Sequence, residues 1–176
     1  MDHTPQMLKK KHDLLHSLAN LPQKVLSLHG TENVSEFVLH DLCNARCFDI
    51  PKAAYIVDNP DFDMLKGVAG FSAHEAFNSE TIWETPELFI AYMKEAPFNQ
   101  KVRGLKRPSF RKFGVSDQET TALIGDYLGL TKPSYCSWQM KHDNHGILVY
   151  ESANNPVVTP DIILNGVCLL GFCPVY

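Results

Sequence analysis

One segment of the sequence combines residue types that bind metal ions or react as nucleophiles. If residues 34–47 form a helix, its period of about 100° per residue places four of them on one side, namely Glu36, His40, Cys43 and Cys47. Carboxylate, imidazole and thiolate groups at such spacings can converge on one zinc or iron ion. The pattern therefore predicts a metal site that uses His40, Cys43 and Cys47.

A complete metal site needs a further ligand from another element, for which we select His74, with Glu75, His142 and His145 as alternatives. The spacing His-x-x-Cys-x-x-x-Cys differs from the paired motifs that are typical of zinc sites. Buried cysteine also packs as a small hydrophobic residue. The same pattern of residues is therefore expected of a helix that is buried on two sides and binds no metal. A redox-active or nucleophilic cysteine on this helix is a further alternative.

A second segment is rich in cations. Between residues 96 and 116 there are six of the 16 basic residues and none of the 20 acidic ones: Lys101, Arg103, Lys106, Arg107, Arg111 and Lys112. Three aromatic residues, Phe98, Phe110 and Phe113, accompany them, and this composition suits phosphate contacts with base stacking. The segment predicts binding of an anionic ligand or nucleic acid; the alternative is that it neutralises the protein's own acidic surface.

Two further groups of residues give weaker signals. Asp58, Asp61 and Asp63 share one turn, but the ordered ligand pattern and the glycine of a calcium-binding loop are missing, which favours a solvated turn. Cys136 precedes a turn that contains His142, yet it shares its strand face with apolar residues. The sequence also lacks phosphate-binding loops, dinucleotide fingerprints and hydrolase motifs, so we expect no nucleotide cofactor.

Capping residues and periodicity place most helices in the first three-quarters of the chain. Helices are predicted to begin near Thr4, Pro22, Asn33, Thr85 and Ser116, with residues 96–115 mostly loop. Asn33 with Glu36, and Ser116 with Glu119, resemble capping boxes.

Strands are predicted at 53–57, 67–71 and throughout the last quarter. One hairpin turns at 143–146, and Asn165-Gly166 indicates another between continuous apolar runs. This order predicts one α+β domain over residues 1–176, with helices on one face of a mainly C-terminal antiparallel sheet. The expected core comprises Val38, Leu42, Ile56, Ile90, Leu123, Val149, Ile163 and Leu169.

Bulk composition limits the classes of protein further. The chain of 176 residues is 44% hydrophobic and 20% charged, which is typical of one globular domain. Five cysteines, an odd number without a regular spacing, favour reduced thiols. The first residues lack the pattern of a signal peptide, and no apolar run is long enough to span a membrane. We therefore expect a cytoplasmic protein.

Three functional hypotheses follow, because the sequence contains no complete catalytic motif. The first is a small metal-binding protein or metal-dependent enzyme that uses the His and Cys residues of the third helix. The second is a module that binds a small anionic ligand or nucleic acid through residues 101–112. The third is a structural or interaction protein, in the form of a homodimer, that presents an exposed apolar patch.

Overall fold

A five-stranded antiparallel sheet is the middle layer of the molecule, and helices cover both of its faces. The computed structural model describes residues 4–28, 30–77 and 82–175. The strands are β1 (Lys52–Asn59), β2 (Met64–Ser72), β3 (Lys106–Arg107), β4 (Ser134–Gln139) and β5 (His145–Tyr150), in the spatial order β3-β2-β1-β5-β4. The helices are α1 (Thr4–Ser27), α2 (Val34–Cys43), α3 (Pro86–Glu95), α4 (Pro97–Arg103), α5 (Asp117–Leu128) and α6 (Pro160–Val167).

Strand β1 lies at the centre of the sheet and separates two apolar cores. Its alternate side chains Ala53, Tyr55 and Val57 join a core with α1, α2, α3 and α6. Ala54 and Ile56 point to the opposite face and join a core with α4 and α5. This alternation follows from the two-residue period of a strand. The expectation that helices cover one face only is therefore wrong, although the α+β class is confirmed.

The final quarter of the chain differs most from the sequence-based expectation. Residues 160–167 form α6, and a 3₁₀ turn follows at Cys168–Phe172, where strands were predicted. Pro160 occupies the first turn and Thr159 Oγ1 accepts a hydrogen bond from the Ile162 N–H, so the segment begins as a capped helix. Gly166 lies inside this helix, and a Cβ there would be 2.6 Å from the Phe48 ring. Gly166 therefore permits close packing and does not form a hairpin turn.

Several local predictions are also decided by the structure. The Ser116 capping box with Glu119 and the β4–β5 hairpin are confirmed. The predicted first two helices are one helix, α1, which continues through Pro22. Part of the predicted loop is α4, whose Val102 is buried. Leu123 is 52% exposed, so its assignment to the core is wrong; the other seven predicted core residues are buried or pack against a core.

The Asn33 capping box is wrong, and its failure has a physical reason. Asn33 adopts a left-handed conformation with φ of 66° and makes no side-chain capping bond. Glu36 is instead buried and accepts hydrogen bonds from Asn99 Nδ2 and Arg103 Nη1. A partner from another helix has therefore replaced the local cap. In the described ranges, no helix has both the length and the apolar character needed to cross a membrane.

Candidate functional site

The residues of the predicted metal site are distributed between a buried helix end and an exposed turn. His40 and Cys43 lie in α2 and Cys47 follows it, all three buried, whereas His74 is exposed in a 3₁₀ turn after β2. Across residues 4–28, 30–77 and 82–175, no group of three or more His, Cys, Asp or Glu side chains is arranged to hold a metal ion. The metal hypothesis stays a prediction.

Burial controls the chemistry of the thiols. It raises the pKa of Cys43 well above its usual range and that of Cys47 to about 12, so both thiols are neutral at pH 7. Cys168 is only half-buried, and burial raises its pKa less strongly. Because the thiolate is the reactive form, these buried cysteines are poor nucleophiles.

We expect a thiol reagent at pH 8 to modify Cys168 before the other cysteines of the folded protein. Its smaller burial gives it the largest thiolate fraction and the best access. Timed alkylation followed by peptide mass spectrometry measures this order. In urea, all five cysteines should react at similar rates. Earlier labelling of Cys43 or Cys47 in the folded protein would contradict the assignment.

The six cations of the basic segment have different neighbours. Lys101 Nζ and the Arg107 guanidinium both lie about 5.5 Å from the centre of the Tyr127 ring. Lys112 Nζ forms an ion pair with Asp63 Oδ2 at 3.1 Å. The backbone N–H of Arg111 donates to a carboxylate oxygen of the buried Asp58. The remaining two cations, Arg103 and Lys106, line a separate pocket.

This pocket, which we call the α2 N-terminal pocket, has a volume of about 320 Å³. Three cations line it, Lys66 from β2, Arg103 from α4 and Lys106 from β3. Asn33 and Ser35, at the start of α2, also line it. Its remaining lining residues are Glu32, Gly67, Val68 and Pro174.

Backbone pairing holds two of these cations together. Lys66 and Lys106 are directly opposite each other in the β2–β3 ladder. Like charges in this position destabilise a sheet. The pKa of Lys66 is lowered by burial and, in addition, by the nearby charges of Lys106 and Arg103. The three cations are therefore close enough to repel one another.

Two carboxylates offset part of this positive charge. Arg103 Nη1 lies 3.1 Å from Oε1 of the buried Glu36, and the exposed Glu32 is one of the residues that line the pocket. Burial raises the pKa of Glu36, while hydrogen bonds from Asn99 and Arg103 act in the opposite direction. The second oxygen, Glu36 Oε2, has no hydrogen-bond partner within the described part of the chain. Arg103 is therefore fixed at the pocket by a buried carboxyl group.

Ser35 provides a polar group on the α2 side of the pocket. Its side chain is 1% exposed and lies beside the Cys173 thiol. Burial raises the pKa of the nearby Cys173 to about 11, although Ser35 favours the thiolate. Ser35 also belongs to the first turn of α2, where a helix carries partial positive charge.

Sequence reasoning identified Arg103 and Lys106 but missed Lys66 and Ser35. Lys66 gives no signal, because only the β2–β3 register places it opposite a residue 40 positions later. Ser35 is a common surface residue, and its burial depends on the C-terminal segment that packs near it. Comparison of the chain with protein-family models, with curated proteins and with solved structures gives no match.

Proposed function

We propose that the protein binds a small anion with phosphate-like oxygens in the α2 N-terminal pocket. The observation that carries this proposal is the direct pairing of Lys66 with Lys106, beside Arg103 and facing the first turn of α2. A bound anion would interact favourably with the positive charges of all three side chains. Binding would therefore be strongest for multiply charged anions.

The start of α2 provides hydrogen-bond donors in addition to the three cations. Backbone N–H groups in the first turn of a helix bind phosphate and carboxylate oxygens, and the helix dipole favours negative charge there. The Ser35 hydroxyl lines the same pocket and can donate a further hydrogen bond to an anion. The proposal thus combines three cations with a hydroxyl group at one end of a helix.

The pocket supports a small ligand more strongly than a nucleic-acid strand. Its volume of about 320 Å³ lies at the lower end of the range for small-molecule sites. Stacking on bases requires exposed aromatic rings beside the cations. Phe98 is buried and Phe110 packs against the core formed with α4 and α5, whereas the exposed Phe113 contacts Lys112 and is not among the residues that line the pocket. The homodimer and interaction hypothesis stays a prediction.

Replacing Lys66 and Lys106 together with glutamine should weaken binding of inorganic pyrophosphate at least about tenfold, the equivalent of about 1.4 kcal/mol. The reason is that both positive charges are removed while Arg103 keeps its bond to Glu36. Isothermal titration calorimetry at low salt measures the dissociation constant. For the wild-type protein, affinity should fall as ionic strength rises, because salt screens exposed charges.

The matched control is the double replacement of Lys101 and Arg107 with glutamine. It removes the same charge from the same basic segment, at Tyr127 and away from the pocket. We expect this control to bind pyrophosphate within about twofold of wild type. Equal weakening in both double variants, or no binding to the wild type at millimolar pyrophosphate, would refute the proposed function.

A further inference from the structure

Helix α1 has two apolar stripes along its length. The inner stripe is buried or packs against the core that α1 shares with α2, α3 and α6, and it comprises Leu14, Leu18, Leu21, Val25 and Leu28. The second stripe, which we call the α1 outer stripe, is exposed and comprises Leu8, Leu15, Ala19, Pro22 and Leu26. Neighbouring residues of a helix are about 100° apart, so the two stripes lie on different sides of α1. Within the described ranges, the fold therefore covers only one of them.

The leucines of the outer stripe are much more exposed than is usual for large apolar side chains. Leu8, Leu15 and Leu26 are 63%, 58% and 70% exposed. Residues 4–9, which make more than one turn, are exposed on every side of the helix. A continuous row of exposed apolar side chains on a soluble domain is typical of a surface that contacts another molecule.

The width of the outer stripe indicates what kind of molecule that is. By the helical period its five members lie within about 60° of one another. The exposed polar residues Lys11 and His12 border it on either side. Helices that lie in a membrane surface bury a whole apolar face, whereas a narrow stripe is typical of the seam between two paired helices. The stripe therefore favours a second helix as its partner.

The outer stripe is complementary to itself when two copies of α1 run antiparallel. Leu8 and Leu26 each lie nine residues from Ser17, and the 18 residues between them make five whole turns, so both face the same direction. Two copies that cross at the level of Ser17 therefore place Leu8 of one opposite Leu26 of the other. Leu15 then meets Ala19, which pairs a large side chain with a small one at the centre.

The polar borders of the stripe agree with the same orientation. Lys11 of one copy lies level with Pro22 and Gln23 of the other, so its aliphatic stem can pack on the proline ring. Lys9 and Lys24 point away from the stripe by the helical period. A parallel pair would instead place the two Lys11 side chains beside each other, and their like charges would repel.

The size of the contact predicts a weak dimer. From Leu8 to Leu26 the helix rises about 27 Å, and two helices in contact over this length remove roughly 1,000 Å² of accessible surface in total. This area is at the lower end of specific interfaces, where association depends strongly on protein concentration. We expect a dissociation constant of about 10–100 μM.

We infer that two copies of this chain associate through antiparallel packing of their α1 outer stripes. The interface is a two-fold one in which the same surface of both copies takes part, so it closes after two subunits. The dimer does not depend on the proposed anion site, because α1 contributes no residue to the lining of the α2 N-terminal pocket.

Sedimentation equilibrium of the full chain, at concentrations from about 1 μM to 1 mM, measures the association. We expect the mean mass to rise from that of a monomer towards that of a dimer. High salt should leave the dissociation constant unchanged or lower it, because the contact is apolar and screening weakens only charge interactions. Pyrophosphate should have no effect on it.

A charge placed at the centre of the contact should prevent association. Leu15→Glu would bring two carboxylates into an apolar seam, and we expect the dissociation constant to rise at least about tenfold. The matched control is Leu123→Glu, which changes a leucine of similar exposure, 52% against 58%, on α5 at the other face of the sheet. The control should dimerise as wild type does. Circular dichroism checks that both variants are folded.

Cysteine cross-linking tests the antiparallel orientation. An oxidised mixture of Leu8→Cys and Leu26→Cys proteins should give a disulfide-linked dimer, because the two positions face each other. Leu8→Cys alone should not, since its two thiols would lie about 27 Å apart at opposite ends of the contact. Wild-type protein treated in parallel measures any cross-linking through the native cysteines.

Any of three results would overturn the proposed dimer. The first is a wild-type protein that stays monomeric at about 1 mM, including one that binds vesicles of anionic lipid instead. The second is equal association of wild type, Leu15→Glu and Leu123→Glu. The third is cross-linking of Leu8→Cys alone without cross-linking of the mixture. None of these results depends on pyrophosphate binding, so the dimer and the anion site succeed or fail separately.

Discussion

Replacing Asn99 with alanine should lower the free energy of unfolding by about 3–5 kcal/mol. Asn99 is buried in α4, and its side chain makes three hydrogen bonds to three other elements. Oδ1 accepts from the Gly70 N–H at 2.9 Å, and Nδ2 donates to Glu36 Oε1 and to the Met93 carbonyl, each at 2.8 Å. Alanine would remove a hydrogen bond from each of these three groups, of which Glu36 Oε1 keeps one from Arg103.

The cost is large because one of these partners is an acidic group with little other support. Glu36 is buried and its pKa is raised by that burial, so the loss of the Asn99 donor leaves Arg103 as its remaining hydrogen-bond donor in the described structure. An unsatisfied polar group in a region of low dielectric costs more than the hydrogen bond contributed. Loss of this network should therefore also loosen the position of Arg103 at the anion pocket.

Urea unfolding followed by circular dichroism measures the effect. The matched control is Gln100→Ala, the next residue in α4, whose exposed side chain donates to the Lys94 carbonyl. We expect a change of about 0.5 kcal/mol or less for this control. A loss below about 1 kcal/mol for Asn99→Ala would show that water or neighbouring groups replace its bonds.

Gly67→Ala should destabilise the protein by about 3 kcal/mol or more. A Cβ at this position of β2 would lie 1.8 Å from the Val102 carbonyl oxygen and 2.7 Å from the Val102 carbonyl carbon. These are backbone atoms of α4, so no side-chain rotation can relieve the overlap. The strand and the helix would have to separate, and the buried core between them would lose contacts.

Gly171→Ala provides a matched comparison in another part of the chain. A Cβ at Gly171 would be 3.5 Å from Trp138 Nε1, which is an ordinary contact distance. We therefore expect a change within about 0.5 kcal/mol for this variant. Thermal unfolding of both variants beside wild type measures the difference. Equal stability of Gly67→Ala and Gly171→Ala would show that α4 does not pack directly on β2.

Local signals in the sequence were sufficient for the elements whose boundaries depend on neighbouring residues. The Ser116 cap predicts α5 because the hydroxyl and Glu119 complete both bonds within one turn. The turn after β4 predicts the β4–β5 hairpin for a similar reason. Pro86 likewise marks the start of α3. Each of these features requires contacts over a few residues only.

Continuous apolar runs were not sufficient to distinguish a helix from a strand. The reason is that burial on all sides removes the periodicity by which the two are told apart. Residues 162–164 and 167–172 are such runs, and the cap at Thr159 with the close approach of Gly166 to Phe48 favours the helix that spans Pro160–Val167. Glu36 is a second position at which the local sequence pattern predicted the wrong interaction. Its sequence position suits a helix cap, but Asn99 and Arg103, more than 60 positions later, draw it into the interior.

The sequence by itself thus determined the α+β class, the β4–β5 hairpin, and the chemical nature of the candidate residues. Only the tertiary structure decided which of these residues meet. The β2–β3 register placed Lys66 opposite Lys106, and the packing of α2 buried both Ser35 and His40. The physical reason is that capping and turns act between near neighbours, whereas the α2 N-terminal pocket is built from segments far apart in the chain and is fixed only when the two cores form around the sheet.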